Sequence, residues 1–201
     1  MAINLVKGQK IDLTKHNSGL SKILVGLGWD AATKKKGGLL SSLFGGGQSQ
    51  NIDIDASVFM LTDDKLKYKS DLIYFGNLKS KDGGVIHTGD NLTGDGDGDD
   101  EQIIVDLSKI PASINKLVFV TNIYDCVKRN QNFGMVKNAF VRVADYNKNE
   151  NIAIYNLTEN YNGYTALIVA EVYRHEGEWK FAAIGEGTND INLTQMSKRF
   201  I

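Results

Sequence analysis

The sequence predicts an all-β fold, an antiparallel β-sandwich with short helical turns. Three observations carry that expectation. The apolar segments are short and rich in β-branched and aromatic residues. They are separated by turn formers such as Lys81-Asp-Gly-Gly84 and Tyr161-Asn-Gly163. The segment from Ile52 begins in strict alternation, with Ile52, Ile54 and Ala56 on one face and Asp53, Asp55 and Ser57 on the other. Many short strands with frequent turns favour two packed sheets.

In chain order, the first strand is Ile23–Trp29, an apolar run ending at Asp30. Ile52–Leu61 is the second. Asp71–Gly76, Gln102–Leu107 and Lys116–Tyr124 follow, then Ala139–Ala144, Ile152–Leu157, Ala166–Arg174 and Trp179–Ile184. Helix is scarce: a turn or two within Val127–Lys137, and a C-terminal helix over Leu193–Arg199. Residues 33–50 break the pattern. They are basic at first, then apolar, then glycine-rich, and read as a long loop inserted between two strands of a single domain spanning 1–201.

A chain of 201 residues is ample for a hydrophobic core, and 42% apolar with 23% charged residues is ordinary for a globular protein. A net charge of −1 argues against a dedicated nucleic-acid binder. The lone Cys126 cannot form an internal disulfide, and Met1–Lys10 does not read as a signal peptide, so a reducing cytoplasm is expected. No apolar run reaches the ~20 residues that span a bilayer.

The densest chemistry lies in Gly89–Glu101. It holds six carboxylates (Asp90, Asp95, Asp97, Asp99, Asp100 and Glu101) and glycines at 89, 94, 96 and 98. So many like charges repel unless solvated or neutralised by a cation. Glycines let the backbone turn tightly and present carbonyl oxygens. Hard oxygen donors in flexible geometry suit Ca2+. Mg2+ is stricter about octahedral geometry, and zinc wants sulfur or imidazole. The loop is not an EF-hand: with Asp95 as position one, position six is Asp100 and position twelve is Asp106. In a sandwich, a second loop or strand contributes ligands, and Asp53 and Asp55 are the natural contributors. An isolated Asp-x-Asp usually just faces solvent; beside this loop, the ligand reading prevails.

These residues match a family. Val25-Gly-Leu-Gly-Trp-Asp30, Asp53-Ile-Asp-Ala-Ser57, Asn77-Leu-Lys-Ser80, His87-Thr-Gly-Asp-Asn-Leu-Thr-Gly94 with Asp97-Gly-Asp-Asp-Glu101, Gln131-Asn-Phe-Gly134 and Tyr173-Arg-His-Glu-Gly-Glu-Trp-Lys-Phe181 resemble the TerD family. These are the tellurium-resistance and general-stress proteins of bacteria. The match runs in order along nearly the whole chain, except for the 33–50 insertion, whose function the resemblance does not supply. It implies a calcium-binding sandwich broadly similar to C2 domains, with no established enzymatic activity.

Carried over residue by residue, the resemblance implies metal ligation by Asp90, Asn91, Asp97, Asp99 and Glu101, and by Asp53 and Asp55. Gly94 and Gly96 offer carbonyls, while Asn77 and Asp125 are weaker candidates. This ligand count permits two neighbouring Ca2+ ions.

Other residues read as structural. His16, His87 and His175 lack metal-ligand spacing, and hydrogen-bonded roles suit them better than zinc. Cys126 has no Cys-x-x-Cys partner and reads as a buried thiol. The glycines at 94–98 are followed by no lysine, and their carboxylates would repel phosphate. The expected function is a non-enzymatic, calcium-dependent stress-response module assembling with other stress or tellurium-resistance proteins. No small-molecule substrate is evident. The alternative is peripheral membrane engagement switched by calcium, with Leu39, Leu40, Leu43 and Phe44 behind Lys34, Lys35 and Lys36.

Overall fold

The computed structural model describes residues 2–15, 17, 19–30, 52–89 and 98–201. Its strands are β1 (Ile3–Leu5), β2 (Lys10–Asp12), β3 (Lys22–Asp30), β4 (Ile54–Leu61), β5 (Leu72–Ile73), β6 (Val85–His87), β7 (Glu101–Asp106), β8 (Lys116–Ile123), β9 (Lys137–Asp145), β10 (Glu150–Asn156), β11 (Ala166–His175) and β12 (Glu178–Thr188). They form two six-stranded sheets packed as a sandwich. The first runs β1-β10-β9-β3-β7-β6 and the second β2-β12-β11-β8-β4-β5. Every pairing is antiparallel except that of β1 with β10.

Alternation builds the core. Val25, Leu27 and Trp29 of β3, Ile103 and Val105 of β7, and Val141 and Val143 of β9 face inward from the first sheet. Ile54, Ala56 and Val58 of β4, with Leu117 and Phe119 of β8, meet them from the second. A second apolar cluster covers the outer side of the second sheet. There Phe59, Leu61, Val118 and Val120 pack under Met196 of the C-terminal helix α2 (Leu193–Ser197), and Phe59 lies 5.1 Å from Phe200. β4 is therefore buried on both faces, which is why its alternation stops after Ser57.

Several expected elements differ in extent. The strand expected over Asp71–Gly76 is only Leu72–Ile73, because the chain turns tightly at Tyr74–Asn77. The helix expected within Val127–Lys137 is one turn, α1 (Cys126–Arg129), followed by a 3-10 turn at Phe133–Met135. The expected C-terminal helix is α2 plus a 3-10 turn. The three-residue strands β1, β2 and β6 are too short to show a period in sequence. The 33–50 insertion lies outside the described residues. No helix among the described residues is long and apolar enough to cross a membrane.

Candidate metal centre

The site is built around the start of β4. β5 pairs β4 only at Val58 and Phe59, so among the described residues the edge preceding those residues has no strand beside it on that side. Two side chains from the first sheet take the strand's place. Glu101 Oε2 accepts the Ala56 N–H at 2.5 Å, and His87 Nε2 lies 3.1 Å from the Ala56 carbonyl oxygen. His87 Nδ1 accepts from the Gly89 N–H at 3.2 Å, which assigns the ring proton to Nε2. That proton faces the Ala56 carbonyl and Glu101 Oε2, the latter 3.5 Å away. Both side chains are fully buried. This pair ties the end of the acidic loop to β4 across the sandwich and closes an edge that would otherwise invite pairing.

Asp53 and Asp55 point to the opposite side of β4 from Ile54 and Ala56, onto the outer face of the second sheet. Both are buried, at 8% and 4% exposure. Asp55 Oδ2 accepts a long hydrogen bond, 3.4 Å, from the Asn122 side-chain amide on β8. Asn122 Oδ1 is buried and has no hydrogen-bond partner among the described residues. Asp53 Oδ2 lies 3.6 Å from a guanidinium nitrogen of Arg129, which stacks on Tyr124 at 5.3 Å. The Asp53 carbonyl accepts from the Tyr124 N–H. Arg129 sits on α1, whose entry bends at Asp125 with φ 53°. A depression of about 270 Å3 opens beside Asn122, lined also by Asp125, Cys126 and Asn192. The Cys126 thiol is buried, and burial pushes its pKa up, so it stays protonated at neutral pH.

The other acids at the loop's end anchor it to the first sheet. Asp99 takes Arg142 in a two-point grip, Nε to Oδ1 and a terminal nitrogen to Oδ2, each at 2.6 Å. Gln102 adds a third bond at 3.1 Å. Asp99 lies directly over Gly26, where a Cβ would fall 2.2 Å from its carboxyl carbon. A Cβ on Gly28 would meet the Gly98 carbonyl at 2.5 Å. The Gly-x-Gly of β3 thus makes room for the returning loop. Asp100 accepts the Trp29 N–H at 2.8 Å.

The expected ligands therefore separate by role. Asp53 and Asp55 share the outer face of the second sheet, while Asp99 lies on the outer face of the first, with both oxygens held by Arg142. Glu101 lies between the sheets, bound to the residue that follows Asp55. The Asn77 side-chain nitrogen braces its own turn, donating to the Leu72 carbonyl at 2.7 Å. Asp90, Asn91, Gly94, Gly96 and Asp97 lie outside the described residues. Among the described residues, no three His, Cys, Asp or Glu side chains converge as a metal-ligating group.

With this geometry, comparison with known proteins is direct. A family model described as the TerD domain matches residues 1–200. The chain belongs to the TerD family. It is 61% identical, over the full length of both chains, to a protein named "Stress response protein SCP2" of Bacillus subtilis (strain 168). It is 42% identical to "Tellurium resistance protein TerD" of Serratia marcescens, covering 93% of this chain and 91% of that one. The fold resembles the crystal structure of a homologue of telluride resistance protein (TerD) from Streptomyces coelicolor A3(2). That match has a TM-score of 0.62 at 22% identity and covers 88% of this chain and 95% of the other. In this TerD domain, Arg142, Arg129 and Asn122 were not singled out by sequence. Arg142 alternates with the core residues Val141 and Val143, the pattern of any solvent-facing strand position.

Proposed function

We propose that this TerD-family chain is a non-enzymatic, calcium-binding stress-response module that assembles with protein partners when calcium is bound. The observation that carries the reading is the burial of Asp53 and Asp55, two carboxylates two residues apart on one strand face. Buried like charges at such spacing are costly unless cationic charge neutralises them. Arg129 approaches Asp53, and a divalent cation supplies the further charge. The donor set fits calcium: carboxylate oxygens, with the buried Asn122 Oδ1 on the same face. Asp53 and Asp55 would hold the ion, joined by Asp90, Asn91 and Asp97 and by the Gly94 and Gly96 carbonyls. Glu101 and Asp99 fasten the loop's end to the two sheets. The bound ion would neutralise the acids and order the loop. The role in stress response rests on the names of relatives, which are stress or tellurium-resistance proteins.

Native mass spectrometry of the purified protein, with and without added calcium, tests this. Retention of one or two calcium ions per chain, lost in Asp53→Ala/Asp55→Ala, supports the reading. A mass that calcium leaves unchanged contradicts it.

A further inference from the structure

The connection from β4 to β6 carries a surface that the metal centre does not use. This connection carries five lysines (Lys65, Lys67, Lys69, Lys79 and Lys81) and four aspartates (Asp63, Asp64, Asp71 and Asp82). All five lysines are exposed. Among the described residues, none of the five forms an ion pair. Three of the four acids are engaged by other groups: Asp64 pairs with Lys116, Asp71 accepts from Ser70, and Asp82 accepts from Ser80 Oγ and the Gly84 N–H, while Asp63 is exposed.

Between these lysines, large apolar side chains project outward. Tyr68 is 70% exposed, Phe75 44% and Leu78 45%. Tyr68 immediately precedes the 3-10 turn at Lys69–Asp71, Phe75 lies in the tight turn at Tyr74–Asn77, and Leu78 follows it. Asn77 fastens the two together, its amide reaching the Leu72 carbonyl at 2.7 Å and the Ser70 carbonyl at 3.4 Å. The turns are thus held as one amphipathic surface at the β5 edge.

We infer that this basic, aromatic-tipped surface docks the protein onto anionic lipid bilayers. Exposed lysines outside any ion pair among the described residues complement anionic headgroups, and each lysine near such a surface adds attraction. Tyrosine suits the headgroup level, with its polar tip in water and its ring against the acyl boundary. Phe75, on the tight turn, and Leu78, just after it, are exposed apolar side chains, and lysine stems can snorkel beside such groups. A nucleic-acid partner fits less well, because the whole chain carries −1 and lacks the broad positive field such binding uses. In sequence this stretch includes neither the 33–50 insertion nor Asp53 and Asp55.

Co-sedimentation of the full chain with vesicles tests the inference. Phosphatidylcholine vesicles with and without phosphatidylglycerol are compared in the presence of a calcium chelator, so that failure here leaves the calcium reading untouched. The expected result is uptake only by the anionic vesicles, persisting when residues 34–47 are deleted. Lys67→Glu/Lys69→Glu/Lys79→Glu weakens it at least about tenfold, from the attraction each lysine contributes. Tyr68→Ser/Phe75→Ser weakens it with the charge unchanged. Lys7→Glu/Lys15→Glu/Lys148→Glu, the same charge change elsewhere, leaves it largely intact. Circular dichroism melts confirm that the variants fold, and Lys→Gln at the same three positions replaces any that does not. Absence of binding, equal uptake by neutral vesicles, equal loss in the two charge-reversed triples, or complete displacement from the vesicles by a single-stranded oligonucleotide overturns the inference.

Discussion

Glu101 Oε2 lies 2.5 Å from the amide nitrogen of Ala56, so a carboxylate from one sheet accepts the hydrogen bond that a neighbouring strand would accept in the other. His87 completes the substitution at the Ala56 carbonyl. Glu101→Ala strands a buried N–H, and losses of this kind cost about 1–3 kcal/mol. Glu101→Gln retains an acceptor oxygen and is expected to recover much of the loss. Urea denaturation of the three proteins checks the order: wild type most stable, then Gln, then Ala. Equal midpoints for Ala and wild type would show that the bond does not brace the edge.

Arg142 and Asp99 form the second clasp. The Asp99 side chain is fully buried, so removing its cation leaves a charge without its main partner. Arg142→Met is expected to destabilise by about 3 kcal/mol, within the range for broken buried pairs. Gly26→Ala is expected to destabilise through the same clasp, because the new methyl would occupy the position of the carboxylate. In a double-mutant cycle Gly26→Ala should cost clearly less in the Arg142→Met background than in wild type. Full additivity would mean that the glycine serves another purpose.

Stability should fall at high pH. Burial pushes the Cys126 thiol up from 9.0, and burial, with the Glu159 and Tyr155 contacts, pushes the Tyr161 phenol up from 10.0. Above those ordinary values the unfolded chain releases protons that the folded chain keeps, so unfolding is favoured as pH rises. Cys126→Ala should flatten the first part of the decline, and Tyr161→Phe the part above pH 10.0. Thermal midpoints measured across this alkaline range check both; identical slopes in wild type and variants would refute the assignment. At the acid end, Asp106 acts in the opposite sense. Burial raises its pKa, but bonds from Ser108 and Lys109 and the charges of Lys109 and Lys22 outweigh that and hold it below 3.8. Its contribution is present above that value and is lost as pH falls through the lowered one.

The sandwich and the Asp53–Asp55 face were legible because Ile52–Ser57 sends apolar side chains to the core and polar ones to the other side, a two-residue period visible in sequence even though both sides are buried. That period vanished from Phe59 to Leu61 because α2 covers the outer face there, a tertiary contact with no local trace. The glycines of Val25–Trp29 were legible as a motif, yet their cause was not: Gly26 and Gly28 answer to Asp99 and Gly98, some seventy residues away. Arg142 was hidden for the same reason, since its partner is fixed by the return path of the loop. The bonds from the Asn77 side-chain nitrogen to the Leu72 and Ser70 carbonyls, which link two turns, left no trace in the sequence.

Calcium held by Asp53 and Asp55 is expected to stabilise this fold. Thermal unfolding in chelator and in millimolar calcium tests it most directly. A ligand at about a hundred times its Kd adds about 2.7 kcal/mol, which for a chain of this size raises Tm by about 5–10 °C. Such a rise is expected in the wild type and its loss in Asp53→Ala/Asp55→Ala, with that variant still folded in chelator. A wild-type Tm that calcium does not move, or an equal rise in the variant, would contradict it.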